Sequence, residues 1–411
     1  MKKFFALLLS LAMVLALVAC GQKETTTPDD TQTPGDTTPE VEYKIAMITD
    51  YGDITDQSFN QTTYEACKAF AEDNSIEFSY FKPAGDNTAD RVAMIEKAVN
   101  DGFNVIVMPG YAFGGAIVEA APEFPDVKFI ALDVAAGDLL ETAVAKAGEA
   151  YDYTPENWDL NKYVDMSNVY CAVYQEELCG YMAGYAAVKL GYKNLGFLGG
   201  MSVPAVVRYG YGFVQGVDAA AADLGLTDVK LNYIYGGQFF GDADITAVMD
   251  TWYQGGTEVV FACGGGIYTS AVDAAKKANA KVIGVDVDQA GVIAKYAGVD
   301  GMTVTSAMKG LYPATYDTLT DVIVNGNWDK YVGKIATLGL VSGTDPEANY
   351  VQIPMGDGTQ WSDSFTQDDY KAMVKDMFDG KITVSNNTSS DVSAADFATV
   401  ITVDDQGSIK G

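Results

Sequence analysis

At 411 residues, 48% of them hydrophobic, the chain is long enough for two domains with cores of their own. It carries a formal net charge of −30 and no histidine. The charge argues against nucleic-acid binding, and the missing imidazole excludes a His-based triad, a His general base and a His-ligated metal.

Lys2 and Lys3 precede a 16-residue apolar run from Phe4 to Ala19, short for a membrane-spanning helix. The run ends in Leu17-Val18-Ala19-Cys20-Gly21, which resembles the lipobox of a bacterial lipoprotein signal. That resemblance implies a leader over residues 1–20, lipid on Cys20, and attachment to the extracytoplasmic face of the cell membrane. An ordinary signal peptide and a plain anchor helix are the competing readings. Residues 21–42 are rich in Thr, Pro, Asp and Gln without apolar periodicity. Such a composition cannot bury a core and reads as a disordered tether.

From Tyr43 onward, strand and helix patterns alternate. Strands are expected at Lys44–Ile48, Phe78–Phe81, Asn104–Met108 and Val127–Asp133, with helices at Ser58–Asp73, Thr88–Asn100 and Gly115–Phe124. Residues 152–167, with Tyr, Asn, Asp, Trp and Pro, read as an insertion near a domain boundary. The alternation then restarts with a strand at Val169–Val173 and a helix at Glu176–Leu190, and continues to a strand at Met302–Ser306. A helix from Lys309 to Asn325 and an irregular tail follow; in the tail, Phe365–Asp379 reads as a helix capped at Thr366. The expected fold is therefore α/β, with two doubly wound parallel-sheet lobes and a ligand cleft at the hinge. The lobes are expected over 43–167, to which part of 302–345 returns, and over 168–300. Residues 346–411 form the tail, its helix packing on the lobes.

The loop Thr49–Asn60, T-D-Y-G-D-I-T-D-Q-S-F-N, leaves the first strand and enters the first helix, the edge at which open α/β sheets bind ligands. Within it Asp53 and Asp56 are expected to shape and cap the loop, and Ser58 to serve as helix N-cap rather than nucleophile. Polar residues or glycines also end the other strands: Gly110, Asp133, Gly199-Gly200, Gly264-Gly265-Gly266 and Asp286. The glycine run lacks the third glycine of a dinucleotide fingerprint, and neither a phosphate-binding P-loop nor a G-x-S-x-G elbow is present. Strand-end carboxylates suit either a glycosidase pair or hydrogen-bond acceptance from ligand hydroxyls. Cys67, Cys171, Cys179 and Cys263 show no CxxC spacing. Cys67 and Cys263 read as buried small hydrophobes, with a Cys171–Cys179 bridge possible but not favoured.

Several segments resemble the basic membrane protein (BMP/PnrA-like) lipoproteins, substrate-binding components of ABC importers. They are Ile48-Thr49-Asp50-Tyr51-Gly52 with Asp56-Gln57-Ser58-Phe59-Asn60; Gly196–Met201 with Pro204, Arg208 and Gly212-Phe213; Gly284-Val285-Asp286-Val287-Asp288-Gln289; and Thr305–Lys309. The resemblance runs from Tyr43 to about Ser385. It implies a periplasmic-binding-protein type I fold and a purine nucleoside as ligand, handed to a permease by a monomeric, lipid-anchored protein that is not an enzyme. A flavin, a sugar or a signalling molecule on the same scaffold, a sensor lipoprotein without transport, and a nucleoside-processing enzyme are the alternatives. No cofactor and no metal are implied.

Carried over residue by residue, the resemblance puts Phe59 against the base and Asp50 and Asn60 in hydrogen bonds to it, with Asp133 facing the ligand. In the second lobe Phe240, or its neighbour Phe239, is the opposing aromatic, and Gly264 or Gly265 offers backbone groups. Asp286 takes the ribose hydroxyls, and Lys309 pairs with Asp286 or reaches the ribose. Tyr209 either lines the cleft or packs the start of its helix.

Overall fold

The structure, a computed structural model, describes residues 42–410. The expected leader, Cys20 and all of the tether except Glu42 lie outside the described residues.

The first lobe begins with β1 (Lys44–Ile48), α1 (Phe59–Asn74), β2 (Glu77–Phe81), α2 (Thr88–Asn100) and β3 (Val105–Pro109). It continues with α3 (Phe113–Ala120), β4 (Lys128–Leu132), α4 (Ala136–Lys146), the one-turn α5 (Leu160–Tyr163) and β5 (Val169–Tyr174). The second lobe holds α6 (Glu176–Lys189), β6 (Asn194–Gly199), α7 (Pro204–Leu224), β7 (Lys230–Tyr235) and α8 (Ala243–Gln254). It goes on with β8 (Val259–Cys263), α9 (Tyr268–Ala278), β9 (Lys281–Asp286), α10 (Ala290–Ala297) and β10 (Thr303–Lys309). The chain then returns to the first lobe through α11 (Leu311–Leu319) and β11 (Ile335–Leu338). It ends in the second with β12 (Val351–Gln352), α12 (Gln367–Phe378) and β13 (Thr402–Ser408).

Two sheets result. The first has the order β11-β5-β4-β3-β1-β2, parallel throughout; the second is β12-β10-β9-β8-β6-β7-β13, parallel except for the β10–β12 pair. Central strands such as Val105-Ile106-Val107-Met108 and Val259-Val260-Phe261-Ala262 are buried throughout, as strands covered on both faces must be.

The topology corrects the expected lobe boundary. Val169–Tyr174 pairs with β4 through Phe129↔Val169 and Leu132↔Ala172, so it belongs to the first sheet. Insertion 152–167 is a detour within the first lobe, and the chain crosses only at Gln175. It crosses back at Gly310 and again between Gly339 and Tyr350. These crossings lie side by side: Gln175 N–H donates to Leu338 O, Gly310 N–H to Tyr350 O, and Tyr350 N–H to Gly339 O. The tail also differs from expectation. α12 buries Tyr370, Met373, Val374 and Met377 in the core of the second lobe alone, while β12 and β13 occupy the two edges of the second sheet.

Glycines explain how α6 and α7 reach the cleft together. A side chain at Gly180 would meet the Tyr209 carbonyl at 2.3 Å, and one at Gly212 would meet the Glu177 carbonyl at 2.1 Å. Only bare backbones can approach so closely, and the approach brings Glu176 of α6 beside Arg208 of α7. The four described cysteines are buried and unbridged, so Cys171 and Cys179 form no disulfide.

Candidate ligand-binding site

A cavity of about 490 Å³ opens between the lobes, within the size range of small-molecule sites. All eleven residues singled out for a ligand line it. Most arrive from the end of a strand or the start of a helix, with Phe239 and Phe240 on the loop between β7 and α8 and Tyr209 in the second turn of α7.

On the first lobe, Asp50 Oδ1 accepts from the backbone N–H groups of Tyr51 and Gly52, both at 2.6 Å, and from Asn60 Nδ2 at 3.1 Å. Asp56 takes the N–H groups of Ser58, Asn60 and Gln61 and so caps α1. Ser58 stands at the N-cap position without capping, a correction to the expected role. Its hydroxyl instead donates to Asp286 Oδ2 at 2.5 Å, across the cleft. The nearby carboxylate of Asp56 already supplies the helix with an acceptor, which leaves the serine free for the other lobe.

Two acids leave their strands by the same device. Asp133, after β4, and Asp286, ending β9, adopt left-handed backbone at φ 58° and 66°. Aspartate tolerates this conformation better than bulky residues, and in each lobe it puts a carboxylate in the cleft. Asp286 also accepts from the Tyr209 hydroxyl at 3.2 Å, so Tyr209 both lines the cleft and packs at 2% exposure. Lys309 ends β10 rather than starting a helix. Its ammonium lies 2.5 Å from Asp133 Oδ2 and 3.6 Å from both Glu176 and Asp286, over the faces of Phe59, Tyr174 and Tyr209. The expected pairing with Asp286 is present, and Asp133, on the opposite lobe, is nearer still.

This cluster sets the electrostatics. Burial opposes the charge of Lys309, but Asp133, Asp286 and Glu176 outweigh it and push the ammonium pKa up. Burial pushes the Asp133 carboxyl up, against the pull of Lys309. Asp138, also lining the cavity, is raised by burial to about 7. Asp133 Oδ1 and Asn60 Oδ1 are buried acceptors without a donor. An unpaired buried acceptor is costly, so both atoms favour a ligand that brings N–H or O–H groups.

The aromatics differ from one another. Phe239 packs on Gly200 and Gly264, where a Cβ would come within 2.4 and 2.9 Å of its ring. Phe240 is 55% exposed, and its backbone bridges to Gly266. Among the described residues no cluster of acids and cysteines could hold a metal ion.

Residues 43–345 match the family model described as ABC transporter substrate-binding protein PnrA-like (Bmp). The chain belongs to that family. The family is one of ABC transporter substrate-binding proteins, and this chain is a substrate-binding component of such a transporter. It is 26% identical to the ABC transporter nucleoside-binding protein BmpA of Lactococcus lactis over 84% of its own length and 89% of that protein's. A lipoprotein of Pyrococcus abyssi is 26% identical over 72% of this chain and 67% of that one. In fold it is similar to a solute-binding protein of an ABC transporter system from Aeropyrum pernix, with a TM-score of 0.63 at 19% identity, covering 85% of this chain and 95% of that one.

In this Bmp-family chain, Ser58, Glu176, Arg208, Asp138 and Tyr111 were not among the expected site residues. Arg208 donates to Glu176 at 2.7 Å, and Tyr111 reaches Met201 of the other lobe. A signal existed for one of them: Arg208 is a charge set within the apolar start of α7, which a buried partner must neutralise.

Proposed function

We propose that the protein captures a purine nucleoside between its two lobes and delivers it to the permease of an ABC importer, from a lipid anchor on the extracytoplasmic face. One observation carries the reading: a single cavity combines an aromatic ring from each lobe with strand-end carboxylates from each lobe. Phe59 and Phe240 would hold the base between them. Asp50 and Asn60 would accept from its N–H edge, and Asp286, with Asp133 nearby, would accept from the ribose hydroxyls. The name of the Lactococcus relative and the lipoprotein name of the Pyrococcus relative support the ligand class and the anchor.

The energetics suffice. Stacking contributes about 1–3 kcal/mol per base–aromatic contact. Hydrogen bonds to charged groups add about 1.5–3 kcal/mol each. Two stacks and two such bonds total about 5–12 kcal/mol against an association cost starting at about 4 kcal/mol, which leaves room for micromolar binding. Closure of the lobes around the ligand would then be the state the permease reads.

Calorimetry with guanosine, inosine, adenosine and cytidine, alongside glucose and riboflavin, tests the reading. Saturable binding of a purine nucleoside, with none of the sugar or flavin, is the expected result. Tight binding of either of those with no nucleoside response overturns it.

A further inference from the structure

Residues 346–410 lie beyond the family match, yet their last part is anchored firmly against the second lobe. Asp218, on α7 and nearly buried, accepts from the N–H groups of Thr399, Val400 and Ile401 and from the Thr399 hydroxyl. β13 then runs parallel to β7 along the edge of the sheet, in register from Thr402↔Lys230 to Asp405↔Tyr233 and, after a one-residue shift, at Ser408↔Tyr235, and Trp252 Nε1 donates to Gln406 at 3.1 Å. Past the strand, Ile409 N–H donates to Tyr235 O at 2.8 Å. This delivers Lys410 to the loop that follows β7, the loop that carries Phe239 and Phe240.

There the Lys410 ammonium donates to Gln238 Oε1 at 2.9 Å and pairs with Asp242. Gln238 Nε2 in turn donates to Phe240 O at 2.9 Å and to Asp242 Oδ2 at 3.0 Å. The three side chains tie the loop across its base, with the two phenylalanines held between the tied ends. Gly237, at φ 78°, lies so close to Lys410 that a Cβ there would meet the Lys410 carbonyl at 2.5 Å. Asp242 is fixed independently, since it caps α8 through Ile245 N–H.

We propose that Lys410 is a positioning residue for ligand binding: through Gln238 and Asp242 it holds the Phe239–Phe240 face of the cleft in its stacking position. The inference rests on the nucleoside reading for its ligand, but not for its mechanism. The Lys410–Asp242 pair is partly exposed and contributes little to global stability. What it changes is the freedom of a short loop, whose ordering the ligand would otherwise have to supply on binding.

The test uses the full chain with Lys410→Met, Lys410→Arg, Phe240→Ala and the Lys410→Met/Phe240→Ala pair. Hydrogen exchange of the ligand-free protein is followed over residues 236–242, and guanosine affinity is measured by calorimetry. In Lys410→Met the loop amides should exchange faster while the melting temperature stays close to that of the wild type. Guanosine affinity should fall roughly three- to tenfold, the scale of ordering one side chain on binding. Lys410→Arg, which keeps the charge and the donors, should restore both readouts, and the Lys410→Met loss should shrink in the Phe240→Ala background. Unchanged loop exchange in Lys410→Met, or a loss undiminished by Phe240→Ala, overturns the proposal. If the wild type binds no nucleoside, the ligand reading fails, and loop exchange still decides the role of Lys410.

Discussion

Ser58 and Asp286 join the two lobes directly: the serine hydroxyl at the start of α1 donates to the carboxylate ending β9 at 2.5 Å, in a buried setting. Lys309 and Asp133 make a second bond across the cleft, and Gln289 donates to the Gln57 carbonyl at 3.2 Å in a third. The protein thus closes partly upon itself, using a carboxylate that the proposed ligand would also engage. Removing the hydroxyl leaves Asp286 Oδ2 short of a donor, at a cost of about 1–3 kcal/mol to the closed form. In Ser58→Ala, the ligand-free protein should open. Small-angle scattering should show a larger radius of gyration than wild type without ligand and the same radius with saturating nucleoside. Superimposable ligand-free profiles would sink the latch.

The halves of this latch were not equally legible in the sequence. The loop from Asp50 to Asn60 announced itself by crowding acids, an aromatic and an amide between a buried strand and an amphipathic helix. Local spacing carries that kind of information. Local spacing says nothing about which distant strand end will face the loop, so Ser58 read as an ordinary cap. The lobe boundary failed for a related reason: an insertion at 152–167 looked like a domain junction, while sheet order decides which lobe a strand joins. The apolar pattern alone ends the strand at Ser306 and starts a helix at Lys309, whereas β10 runs on through Lys309. The lysine ends the strand inside a cage of acids and rings that only the assembled fold supplies.

The aromatic pair separates binding from stability. Phe240 is 55% exposed, so Phe240→Ala should leave the melting temperature nearly unchanged. It should weaken nucleoside binding about ten- to hundredfold, the worth of one base–aromatic stack. Phe239 fills the space that Gly200 and Gly264 leave open, so Phe239→Ala should lower the melting temperature by creating a void. Calorimetry and thermal melts on both variants distinguish the rings. Should Phe239→Ala lose binding at unchanged stability while Phe240→Ala binds normally, the stacking role passes to Phe239.

The ribose assignment of Asp286 makes a separate prediction about the ligand. A carboxylate aimed at a diol is left unpaired when one hydroxyl is missing, so the wild type should bind 2′-deoxyguanosine at least about tenfold more weakly than guanosine. In Asp286→Asn the charge-assisted part of the preference disappears, and the two affinities should converge. Equal affinity of the wild type for both ligands removes Asp286 from the ribose.

Burial of acids near the cleft also gives stability a pH dependence with a definite sign. Asp138 accepts the Ala135 N–H at 2.7 Å at the start of α4, yet burial raises its carboxyl to about 7. Glu177, with a buried Oε2 lacking a donor, is likewise raised to about 7 by burial. In the unfolded chain both groups titrate near ordinary carboxylate values, so between about pH 4 and 7 the folded state holds more protons. Their contribution is fully present below the unfolded pKa and is lost as pH rises through about 7. Removing the titration should therefore help most at high pH. The melting temperature of Asp138→Asn relative to wild type should be a few degrees more favourable at pH 8 than at pH 5, and Glu177→Gln should shift in the same sense. Melts of the three proteins across that range, compared as differences so that the overall charge cancels, decide the matter. Differences that stay constant from pH 5 to 8 would show that neither carboxyl is held protonated by the fold.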